Sequence, residues 1–72
     1  MMILEYRDEQ GRHVRWAIVD NRPDASPPRV WSCVVEDRGY AGADVNADPS
    51  SAYAGALRHL KGIRDEPRRV AP

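Results

Sequence analysis

The chain has 72 residues, 11 basic and 11 acidic side chains that cancel in formal charge, and a single cysteine. A chain this short forms one domain that buries only about 60 to 65% of the surface its unfolded form exposes, so the core is thin and a deep substrate cavity has no scaffold to sit in. No apolar run approaches the roughly 18 residues of a membrane span, and the four apolar residues before Glu5 are too few for a secretory leader.

Met2, Leu4 and Tyr6 alternate with Ile3, Glu5 and Arg7, the period of two expected of a first strand. Glu9-Gln10-Gly11 fits a three-residue hairpin loop with Gly11 in the left-handed position and Asp8 paired with Arg12. The second strand, Val14 to Asp20, then places Val14, Trp16 and Ile18 on one face and Arg15, Ala17 and Val19 on the other. Counting outward from the loop sets Tyr6 against Val14, Leu4 against Trp16 and Met2 against Ile18. On the reverse face Glu5 meets Arg15 and Ile3 meets Ala17. An apolar face and an opposite-charge pair on the other side both favour this register.

Asn21 to Arg29 contains Pro23, Pro27 and Pro28, which offer no backbone donors, so an extended surface loop is expected. Val30 to Glu36 reads as a third strand with Trp31, Cys33 and Val35 assigned to the core and Val30 and Val34 to the reverse face. A turn at Asp37-Arg38-Gly39 follows, and Tyr40 to Val45 can supply a short fourth strand. Asp48 is placed as a helix N-cap with Pro49 at the first helical position. Tyr53, Ala56, Leu57 and Leu60 then recur at i, i+3, i+4 and i+7, the stripe of a helix laid on a sheet. Gly62 is expected to end that helix, with Ile63 folding back on Leu57.

These elements predict an α+β domain over residues 1–63, an antiparallel meander of three strands, or four with the last short one, and one C-terminal helix on one face. Residues 64–72 are expected to form a flexible basic tail. The expected core is Leu4, Tyr6, Val14, Trp16, Ile18, Trp31, Cys33, Val35, Tyr53, Ala56, Leu57 and Leu60.

Chemical signatures are few. Asp44-Val45-Asn46-Ala47-Asp48 matches the opening of a calcium-binding loop, but Pro49 stands where that loop needs glycine and Gly55 where it needs a bidentate glutamate. His13, Cys33 and His59 share no ligand spacing, so no metal or other cofactor is expected. Cys33 reads as a buried apolar filler; it cannot form an intrachain disulfide, which makes a cytoplasmic location the expectation. No nucleophile-and-base spacing and no phosphate-binding loop occurs, and an enzyme is not expected.

The order of elements from Arg29 to Leu60 resembles the strand-strand-helix part of a double-stranded RNA-binding domain. That family carries lysines at the start of its last helix, where this chain has Asp48-Pro49-Ser50-Ser51, and its first helix is missing here. Its functional residues therefore do not carry over.

Two functional expectations follow. One helix covers one face of a sheet, so the reverse face, with Ile3, Ala17, Val19, Val30 and Val34 rimmed by Glu5 and Arg15, is expected to bind a larger protein partner or to close a homodimer. The alternative is a nucleic-acid-binding module that uses Arg58, Lys61, Arg64, Arg68 and Arg69. Residues 1–48 carry six basic against nine acidic side chains and residues 49–72 five against two, so positive charge concentrates at the C-terminal end.

Overall fold

The computed structural model describes residues 2–65 of the chain. Four strands, β1 (Met2–Arg7), β2 (His13–Asn21), β3 (Arg29–Asp37) and β4 (Tyr40–Asn46), form one antiparallel sheet in the order β1-β2-β3-β4, and the helix α1 (Pro49–Asp65) follows. This is the α+β meander with one C-terminal helix read from the sequence, with the fourth strand present.

The first hairpin closes as its glycine requires. Gly11 has φ of 78°, its N–H donates to the Asp8 carbonyl at 2.9 Å, and the Asp8 N–H donates to the Arg12 carbonyl at 2.9 Å. Tyr6 faces Val14, Leu4 faces Trp16 and Glu5 faces Arg15, as expected. The register then slips between Met2 and Leu4, and Met2 lies opposite Ala17 rather than Ile18. A one-residue irregularity of this kind bends the end of an edge strand.

A second irregularity separates Ile18 from Asp20 on β2, so that Asp20 and not Val19 stands across from Val30. Beyond it, residues 22–28 link β2 to β3, where the Arg22 N–H donates to the Pro28 carbonyl at 2.7 Å. Between β3 and β4 the turn has only two residues, Arg38 and Gly39, with φ of 51° and 84°. Two positive φ values in succession define the turn whose twist suits a tight hairpin.

The helix begins where expected. Asp48 accepts hydrogen bonds from the Ser51 N–H at 3.0 Å and the Ser51 hydroxyl at 2.7 Å, which satisfies one of the orphan donors of the first turn. The expected stop at Gly62 is not observed, since α1 continues to Asp65. Arg64 holds the last turn by pairing with Asp37 at the end of β3, at 3.1 Å. A helical glycine costs only about 1 kcal/mol relative to alanine, which the helix tolerates here.

Where α1 sits is decided by β4. A Cβ placed on Gly42 would lie 2.5 Å from the Leu60 backbone nitrogen and 2.8 Å from its Cα, so the helix backbone rests directly on the strand. Cys33, Val35 and Val14 are sealed beneath Ala52, Ala56 and Leu60. Among the described residues the helix backbone lies close to β3 and β4 and not to β1 or β2. Leu4 and Tyr6, expected in the core, are therefore 51% and 40% exposed, because no described residue covers the β1 side of that face. Trp16, Tyr53 and Leu57 pack against the core without being sealed in it.

Two glycines then respond to alanine with opposite signs. Gly62→Ala adds a methyl to a helix interior where a Cβ meets nothing within 4 Å, and should stabilise by about 0.5 to 1 kcal/mol. In so small a domain that is a rise in melting temperature of roughly 2 to 8 °C. Gly42→Ala forces the helix off the strand and should cost about 3 kcal/mol, the upper range for overpacking. Thermal melts of the two variants measure both; a destabilising Gly62→Ala would mean that the helix ends there after all.

Candidate functional site

The pleat of the sheet brings Leu4, Tyr6, Trp16, Ile18 and Trp31 to the face that carries α1, on its uncovered side. Cross-strand rows align Leu4 with Trp16 and Cys33, and Ile18 with Trp31 and Asn46. The two indoles meet edge to face, with centroids 6.3 Å apart and planes at 87°, a favourable arrangement for aromatic quadrupoles. The Trp16 indole N–H donates to the Tyr6 hydroxyl at 3.2 Å. Trp16, Ile18 and Trp31 remain half-buried, and with Leu4 and Tyr6 they form a continuous apolar surface beside the helix.

One end of this surface is closed by a carboxylate clamp. Asp8 Oδ1 accepts the Gln10 and Arg12 N–H groups, each at 2.9 Å, while Oδ2 accepts Arg12 Nε at 2.7 Å and the Tyr53 hydroxyl at 2.9 Å. Burial pushes the Asp8 carboxyl upward, but the bonds from Arg12, Tyr53 and Gln10 together outweigh it and hold the group at about 2. A carboxylate so held stays ionised near neutral pH and anchors the hairpin to the helix.

Cys33 is fully buried. Desolvation, with a smaller push from Asp44, raises its thiol to about 11, the opposite of what a nucleophile needs. The calcium-loop string is likewise consumed by local structure: Asp44 accepts the Val45 N–H, Asn46 accepts the Asp48 N–H, and Asp48 caps α1. Among the described residues no group of three or more His, Cys, Asp or Glu side chains is placed to hold a metal, and no helix is long and apolar enough to cross a membrane.

The reverse face differs from its expected form. Glu5 and Arg15 are opposite each other, yet each makes its close contact diagonally, Glu5 with His13 at 2.7 Å and Arg15 with Glu36. One end is thus a charged lattice. The other end is flat: Ala17 faces Ser32, and Val34 lies between Arg15 and Ala43. Ala17, Val30 and Val34 are half-buried. Val19 is 55% exposed at the β2 irregularity, beside which Asp20 stands opposite Val30. Ile3 lies in β1, but its side chain is outside the described set. Among the described residues the β2 irregularity sets Val19 apart from Ala17 and Val34.

The C-terminal cations are partly brought together. Arg58, Lys61 and Arg64 line one groove with Arg12, but Arg12 is tied to Asp8 and Arg64 to Asp37. Arg58 and Lys61 are left exposed. Arg68 and Arg69 lie outside the described residues.

The aromatic surface was missed from sequence because its members were all assigned to the core. Gly42 is the signal that could have found it, since a glycine inside a strand marks a close backbone approach. Comparison with protein-family models, with curated proteins and with solved structures gives no match to this chain.

The Asp8 clamp gives a pH test. Its folded value of about 2 lies below the ordinary 3.8, so its contribution is complete above that ordinary value and is lost as pH falls from there toward 2. Asp8→Asn should melt lower than the parent at neutral pH, with the gap shrinking through this window. Melting curves across the acid range check it, and a gap independent of pH would remove Asp8 as the titrating group.

Proposed function

We propose that the chain is a small non-enzymatic binding protein, of the inhibitor or regulator kind, that occupies an apolar surface of a larger protein partner with the aromatic face of β1, β2 and β3 beside α1. The observation that carries this reading is the exposure of Leu4 and Tyr6 in continuity with Trp16, Ile18 and Trp31. An apolar patch with a polar border favours an interaction site, and aromatic side chains supply much of the binding energy at such sites. The states of Asp8 and Cys33 support a role other than catalysis: Asp8 stays ionised and Cys33 stays protonated at neutral pH. A cytoplasmic setting suits the same reading, because none of the described fold is held by a disulfide.

Relative to the reverse face, this surface has larger side chains and fewer charges to desolvate. Trp16 and Tyr6 already satisfy one another, so an apolar partner can cover them without stranding the indole N–H. The nucleic-acid reading keeps one supporting observation, the grouping of Arg58 and Lys61 with two further cations along one groove.

Capture of partners from lysate of the source cell, with and without nuclease and at low and raised salt, separates the two. The parent should retain a protein in nuclease and at moderate salt, and Leu4→Glu should lose it while melting within a few degrees of the parent. Loss with Arg58→Glu, abolished by nuclease and steeply salt-dependent, would favour nucleic acid. Loss with Val34→Arg but not Leu4→Glu would return the site to the reverse face.

A further inference from the structure

Among the described residues no strand pairs with the outer edge of β4. A two-residue turn makes Asp37 and Tyr40 a hydrogen-bonded pair, and bonding then alternates along the ladder. Val35 with Gly42 and Cys33 with Asp44 are bonded pairs, so the backbone groups of Ala41, Ala43 and Val45 point away from β3. The β3–β4 ladder has no irregularity, unlike that of β1 with β2. Nor does β4 carry a lysine, a proline or a bulge, the devices that usually blunt an edge. Of these outward groups the Ala43 carbonyl has a partner, the His59 ring at 3.0 Å, and a carbonyl oxygen has a second lone pair; the Val45 N–H donates to Asp44 Oδ1 at 2.9 Å, a local bond that pairing of the edge would replace.

The geometry points to pairing of this edge with β4 of a second copy, antiparallel about a two-fold axis at Ala43, to give one continuous eight-stranded sheet. The sequence of the edge is self-complementary in that register. Ala43 meets its own copy, Ala41 meets Val45, and Asp44 falls opposite Gly42 rather than opposite another Asp44, so the like charges are not set in register.

The helix supports the same occupant. A perpendicular two-fold puts both α1 helices on one face, side by side, and α1 already rests on β4 at Gly42. They would meet near or below the usual 8 to 10 Å between helix axes, which small facing residues permit. The flank of α1 above this edge carries Gly55, His59 and Gly62, and the groove there is also lined by Asp44 and Arg58. Among the described residues Arg58 has no ion-pair partner, and Asp44 of the second copy brings an opposite charge to the same groove. Gly62, which costs helix stability and has open space where its Cβ would be, is placed where the second helix approaches.

Sedimentation equilibrium over a wide concentration range should show the parent passing from monomer to dimer. Ala43→Pro removes an outward N–H without touching a bond to β3 and should be folded and monomeric; Ala41→Lys and Gly62→Leu serve the same end if the proline unfolds the chain. Register is read by cysteine: Ala43→Cys should oxidise to a disulfide-linked dimer readily and Val45→Cys poorly, with buried Cys33 inert. A parent that stays monomeric throughout, a dimer indifferent to folded edge variants, or equal oxidation of the two cysteine variants would each overturn the proposal. So would a dimer lost with Leu4→Glu alone, which would place the contact on the aromatic face and not at the edge.

Discussion

The contact between Gly42 and the backbone of α1 sets the rest of this molecule. A side chain at that position would hold the helix at the ordinary distance from a sheet, where it could slide toward the middle strands. Without one, α1 settles over β4 and β3, and its small residues Ala52 and Ala56 are buried there. The consequence is asymmetry. Half of the sheet face is sealed by the helix, and the other half keeps two tryptophans and a tyrosine only partly covered.

An uncovered hairpin on so small a core would be free to twist away, and the Asp8 clamp opposes this. Asp8 belongs to the first hairpin and Tyr53 to the helix, 45 positions apart, and their 2.9 Å bond ties one to the other across the open face. The same carboxylate fixes the hairpin loop through Gln10 and Arg12. One side chain therefore does locally what a layer of core residues does in a larger domain. The arrangement leaves the aromatic surface both exposed and held in one geometry, which is the condition under which exposed aromatics bind without a large ordering cost.

Much of this was legible in the sequence, and the parts that were not share a cause. The hairpin register, the Gly11 loop, the Asp48 cap and the core face of β3 are local facts, encoded by alternation, by one glycine and by a capping carboxylate. The end of α1 was misjudged at Gly62 because a glycine signals a stop only when no tertiary contact holds the next turn, and Arg64 with Asp37 supplies that contact. Leu4 and Tyr6 were placed in the core because periodicity states which face a residue is on. It cannot state how far a helix extends over that face. The irregularity beside Val19 in β2 was not legible because no glycine announces it.

The reverse face shows why exposure of apolar residues is a poor guide by itself. Ala17, Val30 and Val34 are half-buried, and the larger side chains of this face are already paired among Glu5, His13, Arg15 and Glu36. A partner landing there would have to desolvate those charges, and exposed ion pairs give little in return. On the helix side the balance is reversed, because the polar atoms of Trp16 and Tyr6 are mutually satisfied and the rest of the surface is hydrocarbon or ring. The same sheet thus presents one face that resists desolvation and one that gains by it, and the position of α1, fixed at Gly42, determines which half of the second face remains open.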